Sequence, residues 1–275
     1  VLIFSFFTVS SRERMVVYGE DNRRDIFEVT DQNLISLSQS SASMIHPRNL
    51  LPLGNGQYGI YEEKPFRQLC SYERFAKDPQ VANCSGFLIG DDLILTAGHC
   101  MRDTYDCEGY KWVFNYAHNS DDKNIIIGKE DIYRCKEVVE AALNKVDDYA
   151  LIRLDRSVIK QKPLKYRQEG SISFDEKVFL IGNPTGMPLK IADSGYVVAK
   201  SESRFVTNLD SFEGNSGSAV FNSKTNLIEG ILVSGEKDYE YDKSQKCYYT
   251  NVLDEQYGRE SVTKITRVKS LYKKE

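Results

Sequence analysis

An all-β fold is what this sequence predicts, and three observations carry the prediction. From about residue 70, short runs rich in β-branched and aromatic residues alternate with turn signals. The runs number about a dozen and fall into two sets of roughly six, the rhythm of barrels or sandwiches. Hydrophobic content of 41% beside 28% charged residues describes a soluble globular chain, and 275 residues can bury one large core or two smaller ones.

Taken in order, the chain opens on VLIFSFFTVSS (1–11), apolar and then small and polar, with no initiating methionine. It reads as the end of a secretory signal's hydrophobic region. An edge strand is the alternative, since ~10 apolar residues cannot span a bilayer. VVYGEDNRRDIFEV and TDQNLISLSQSSASMI follow, where Thr30 or Asp31 caps a helix, although Leu34, Ile35, Leu37 and Ile45 only partly fit helical spacing. With the Pro/Gly-rich HPRNLLPLGNG behind them, residues 12–69 read as a pro-segment or an N-terminal wrap.

Residues 70–160 hold the first set of strands. CSGFLIG and DLILTA flank Gly90-Asp91-Asp92 as a hairpin, and KWVFNY, NIIIG, IYRCKEVV and YALIRL follow. Residues 161–256 hold the second: KVFLIG, IADSGYVVA, RFVTNL, SAVF, LIEGILVSG and CYYTNV. In 257–275, Val262, Ile265, Val268 and Tyr272 recur at helical spacing and predict a closing helix with one apolar face.

Charge excludes one class of partner. A net charge of −4 and a pI near 5.6 offer no field for gathering nucleic acid, and Lys273-Lys274 read as a solvated tail. Six cysteines, an even count beside an export signal, point to disulfides. No C-x-x-C occurs, which argues against zinc ribbons and thioredoxin-type chemistry.

Three separate motifs could together supply a nucleophile, a base and an orienting acid. In LILTAGHC, His99 directly follows a β-rich run, and Cys100 could bridge back to Cys84. Asp148 opens the apolar run DYALIRL, and Ser216 stands between glycines in GNSGS. Singly, each reads as a structural histidine, a strand-end acid and a flexible loop. Together, in the order His99, Asp148, Ser216, they resemble the chymotrypsin-like (trypsin-like) serine peptidases over roughly residues 80–255. GNSGS, where trypsin-type members have GDSGG, is similar to the bacterial trypsin-like and glutamyl-endopeptidase-like branch.

The resemblance implies two six-stranded antiparallel Greek-key β-barrels, a secreted or periplasmic serine endopeptidase acting on proteins or peptides as a monomer, and no metal or organic cofactor. It implies that Ser216 attacks the peptide carbonyl, that His99 carries its proton, and that Asp148 fixes the imidazole. Gly214 and Ser216 would give the oxyanion its two backbone N–H donors. The spacings agree: 49 residues from His99 to Asp148 leave room to finish a first barrel, and 68 from Asp148 to Ser216 build most of a second.

Asp210, six residues before the nucleophile, matches the floor of a pocket for Arg or Lys; otherwise it only bonds nearby backbone. The strand GILVSG lacks the histidine that helps glutamyl endopeptidases hold a substrate carboxylate, which disfavours cleavage after glutamate. Asn215 stands where trypsin-like zymogens keep an aspartate for the new N-terminal ammonium. Cys247 falls on the pocket wall and would narrow it. The resemblance pairs Cys84 with Cys100; proximity then pairs Cys107 with Cys135, and elimination leaves Cys70 with Cys247. His46 and His118 lack comparable surroundings and read as incidental. A catalytically inactive homologue serving as a secreted binding module is the rival reading.

Overall fold

The computed structural model describes residues 17–120 and 124–272. The leader-like stretch 1–11 and the pair Lys273-Lys274 lie outside the described residues. Two closed antiparallel barrels of six strands dominate the molecule. Around the first run Ile132–Leu143, Asp148–Leu154, Leu93–Thr96, Ala82–Gly90, Ser41–Ile45 and Lys111–Phe114, which pairs back to Ile132–Leu143. Around the second run Lys177–Gly182, Ala219–Asn222, Ile228–Ser234, Glu260–Lys264, Arg204–Thr207 and Lys190–Lys200, which closes on Lys177–Gly182.

The two-residue period of a strand explains how the barrels join. Along Lys177–Gly182, Val178 and Leu180 point into the second barrel with Val197, Phe205, Val220 and Leu232. Their neighbours Phe179 and Ile181 belong instead to a core shared with first-barrel residues such as Leu88 and Leu151. Phe179 stacks on Phe221 at 4.7 Å between centroids within that shared core. One face fills a barrel and the other glues it to its partner.

Three expectations need correction. The first barrel does not begin at residue 70, because Ser41–Ile45 is one of its six strands. Without Ser41–Ile45 that barrel would lack one of its six strands, which favours the wrap over the pro-segment for the described part of 12–69. Its earlier part also docks: Val17–Tyr18 pairs with Val252–Leu253, and Arg24–Asp25 with Lys190 and Ile191 of the second barrel. Second, no closing helix forms over the described part of 257–275. Glu260–Lys264 is a barrel strand, and Ile265–Arg267 and Lys269–Leu271 are single 3-10 turns. Third, NIIIG and CYYTNV are strands but not barrel strands: Ile126–Gly128 edges a small three-stranded sheet, and Cys247–Thr250 pairs only with Tyr239–Asp242.

The predicted helix near Asp31 is present but short. Asp31 caps Gln32–Ser38 by accepting from the Asn33 N–H at 2.8 Å. All three disulfides close as expected: Cys84–Cys100, Cys107–Cys135 and Cys70–Cys247.

Candidate active site

The register of the first barrel brings His99 to Asp148. Thr96 and Ala150 are cross-strand partners in antiparallel strands, so the residues just after one and just before the other emerge at the same end. His99 sits in the 3-10 turn Gly98–Cys100 that leaves the strand, and the Cys84–Cys100 bridge ties that turn back. Asp148 then grips His99 twice. Its Oδ1 accepts the backbone N–H of His99 at 3.1 Å, and its Oδ2 lies 2.8 Å from Nδ1. Both side chains are nearly buried, at 10% and 12% exposed, which shields the pair from water.

Ser216 comes from the second barrel, on the loop before Ala219–Asn222. The Ser85 N–H, on the strand that carries Cys84, donates to the Ser216 carbonyl at 2.8 Å and docks the loop on the first barrel. A cleft of about 290 Å³ is lined by His99, Ser216, Glu213, Gly214, Met44 and Arg102 among others. Thus His99 and Ser216 line one groove between the barrels, and Asp148 reaches it through its bonds to His99.

The glycines of the loop are required by geometry. Gly214 has φ +96°, and a Cβ there would lie 2.5 Å from the Asn183 carbonyl oxygen. Gly217 has φ +89°, and its Cβ would meet the Ser85 carbonyl oxygen at 2.1 Å. Both conformations are strained for any other residue. The Glu213 carbonyl accepts from the Thr185 N–H at 2.5 Å, and a planar trans peptide then points the Gly214 N–H the opposite way. Among the described residues, the N–H groups of Gly214 and Ser216 donate to no protein acceptor. Ser85 and Thr185, absent from the sequence reading, therefore hold this loop in shape. Ser85 also donates from Oγ to the Gly214 carbonyl at 2.9 Å. The Asn-Pro turn signal at 183–184 was the one hint of the Thr185 side.

Asp210 does not floor an open pocket. It is fully buried, and its two oxygens accept the backbone N–H groups of Tyr18 at 2.7 Å and Asn22 at 2.9 Å. The alternative reading, a carboxylate bonded to backbone, describes it better, although the donors lie far away in the sequence. Burial pushes its carboxyl up to about 6, against these two hydrogen bonds. Beside it the Tyr18 hydroxyl donates to Glu260 at 3.2 Å, and burial holds the Glu260 carboxyl well above its usual range. The Arg23 guanidinium stacks 3.9 Å over the Phe212 ring. Tyr18, Asn22 and Arg23 of the N-terminal segment thus pack against Asp210, Glu260 and Phe212.

The remaining candidates are structural. Asn215 is buried and accepts from Ser218 Oγ at 3.4 Å. Cys247 is spent in its bridge to Cys70 and lines neither of the two cavities that meet Gly214. His46 caps the turn Pro47–Asn49 by accepting from the Arg48 N–H at 3.2 Å. His118 is buried beside Asp78, and Asp78 and Asp25 both accept from the buried Lys190 Nζ. That ammonium already supplies a cation to the two carboxylates nearest His118. Cys84, His99 and Cys100 also lie together, but disulfide sulfurs are not thiolate ligands.

No curated protein matches the chain. Solved structures do. A Glu endopeptidase in complex with MPD superposes with TM-score 0.54 at 18% identity, covering 93% of this chain and 97% of its own. Neuropsin, a serine protease of mouse brain, gives TM-score 0.54 at 16% identity, covering 86% and 94%. The Vibrio cholerae VesB protease gives TM-score 0.54 at 13% identity, covering 94% of this chain and 66% of its own. At such identities the likeness shows the fold. The trypsin-like peptidase domain matches residues 84–231, from Cys84 through the Ser216 loop into Ile228–Ser234. That match spans more than half of the sequence, and the chain therefore belongs to the trypsin-like peptidase family as a serine endopeptidase of chymotrypsin-like fold.

Proposed function

We propose that the chain hydrolyses peptide bonds through an acyl-enzyme built on Ser216, with His99 as base and Asp148 as its orienting acid. The hydroxyl of Ser216 attacks the peptide carbonyl carbon while its proton passes to His99 Nε2. The carbonyl oxygen, now negative, is received by the N–H groups of Gly214 and Ser216. Loss of one such donor costs about 2.7–4 kcal/mol of transition-state stabilisation. His99 then protonates the departing amine, the acyl-enzyme remains, and water repeats the sequence to free Ser216. The observation that best supports this reading is the double grip of Asp148 on His99, which orients the imidazole in the cleft that it lines together with Ser216.

An oxidising compartment, outside the cell or in a periplasm, fits three closed disulfides. Among the described residues no helix is long and apolar enough to cross a membrane. Cleavage after Arg or Lys would require Asp210 to be uncovered by movement of the segment that carries Tyr18 and Asn22, so a panel of peptides varied at that position tests it directly.

Labelling with an organophosphonate that reacts with serine nucleophiles separates the enzyme from an inactive binding module. The wild type should label and turn over peptides, and Ser216→Ala should lose labelling and on the order of a million-fold in kcat. Turnover should also fall on acidification, because a cationic imidazole cannot accept the serine proton. Wild type left unlabelled, or a profile flat to about pH 4, would contradict the proposal.

A further inference from the structure

The turn that delivers Asp148 is held from the opposite barrel. Leu143 and Asp148 are the last cross-strand partners of their hairpin, and residues 144–147 connect them. Internally the turn has its own bonds: Asn144 Oδ1 accepts the N–H groups of Val146 at 2.9 Å and Asp147 at 3.0 Å. A hairpin turn needs nothing more to close. Yet Arg267 donates from Nε to Asp147 Oδ1 at 2.6 Å and from Nη2 to Oδ2 at 2.8 Å, and Arg204 Nε donates to the Val146 carbonyl at 3.1 Å. The two arginines flank paired strands of the second barrel, Arg204–Thr207 and Glu260–Lys264.

The residue on the other side of Asp148 is tied to the same segment. Tyr149 donates to Glu140 Oε1 at 2.6 Å, and Glu140 accepts the N–H groups of Lys269 at 3.1 Å and Ser270 at 2.8 Å. Both neighbours of Asp148 are thus anchored to residues 267–270. The hydrogen bonds of Arg267 come first in holding the Asp147 carboxyl below the usual carboxylate range, and the charges of Arg267, Arg204 and Lys269 add to them. A two-pronged guanidinium fixes the rotation of a carboxylate as well as its position, which a lysine cannot.

We propose that Arg267 is a positioning residue: by gripping Asp147 from the second barrel, it sets Asp148 against His99 and couples the triad to correct docking of the two barrels. This rests on the triad reading above.

Steady-state kinetics on a peptide substrate test it with Asp147→Ala, Arg267→Ala, their double variant and Arg267→Lys. Each single alanine should lower kcat about 10- to 100-fold with KM within about twofold, as expected when a catalytic group is misplaced by about an ångström. The double variant should be no worse than either, and the lysine should stay near the alanine, because charge without the fork does not orient. In Asp147→Ala the acid limb of kcat/KM should move to lower pH, since an imidazolium that has lost its aligned carboxylate ionises more readily. Arg167→Ala, which breaks the bidentate pair to Glu229, should lower Tm and leave kcat and the acid limb unchanged. Wild-type kcat and an unmoved acid limb in Asp147→Ala and Arg267→Ala would overturn the proposal, whatever happens to Tm. If the wild type itself turns over no peptide, the triad reading fails instead. The clamp is then read by NMR from the His99 Nδ1 proton, which should be protected in the wild type and exchange rapidly in both alanine variants; unchanged protection would overturn it.

Discussion

Asp210 shows how a single residue's environment decides its role. A carboxylate at this place in the sequence fits a basic-specificity pocket, but the folded chain gives both its oxygens to distant amide groups and removes it from water. Burial raises its folded value to about 6 from 3.8, so the native state holds a proton that the unfolded chain has already released. The sign follows from linkage: the contribution is fully present below the unfolded value and is lost as pH rises through about 6. The loss is on the order of 3 kcal/mol for a shift of about two units. Asp210→Asn should therefore show a shallower decline in urea-unfolding free energy between about pH 4 and 6 than the wild type. Parallel curves in that window would mean Asp210 does not titrate there.

At the scale of elements, the count of barrel strands was legible and their membership was not. Ser41–Ile45 hides because small residues do its packing: Ser41, Ala42 and Ser43 are buried, and Ser43 Oγ donates to Asn183 Oδ1 at 2.8 Å. It lacks the alternation of large apolar residues that marks a strand in sequence. Glu260–Lys264 hides for another reason. Its neighbours Ile265 and Val268 fall at helical spacing and are buried, yet Ile265 opens one short turn and Val268 joins that turn to the next. Conversely, Ile126 in NIIIG is 56% exposed, because β-forming composition says nothing about which sheet a strand joins. The hairpin that holds Cys247 is fastened to the loop at Cys70 across 177 residues of chain. Replacing both cysteines by serine should cost about 2–5 kcal/mol, visible as a lower Tm than for an otherwise identical chain. An unchanged Tm would show that the hairpin and its loop stay docked without the bridge.

For the molecule as a whole, the cleft is also the main seam. Besides the shared apolar core, the Ser85 N–H bonds the Ser216 carbonyl, the Val81 N–H bonds the Gly186 carbonyl, and Lys190 of the second barrel is buried between Asp25 and Asp78. Neither barrel can unfold without exposing that core and leaving those buried charges unpaired, which costs several kcal/mol. Differential scanning calorimetry should accordingly give one transition, with calorimetric and van't Hoff enthalpies in agreement. Two separated transitions would mean the barrels are energetically independent, and with them the halves of the active site.

By itself the sequence determined the class of fold and singled out His99, Asp148 and Ser216, because three motifs that are ordinary singly together resemble one peptidase family. TAGHC sets a histidine on a turn leaving a strand, DYALIRL opens a buried strand with an acid, and GNSGS supplies the left-handed turns around a serine. Only the tertiary structure decided what covers Asp210, which segments close each barrel, and which distant arginines hold the turn before Asp148. The contacts around Asp210 and the turn before Asp148 join residues distant in the sequence, from 58 positions apart for Arg204 and Val146 to 192 for Tyr18 and Asp210, where burial and partner geometry, not local composition, set the energy.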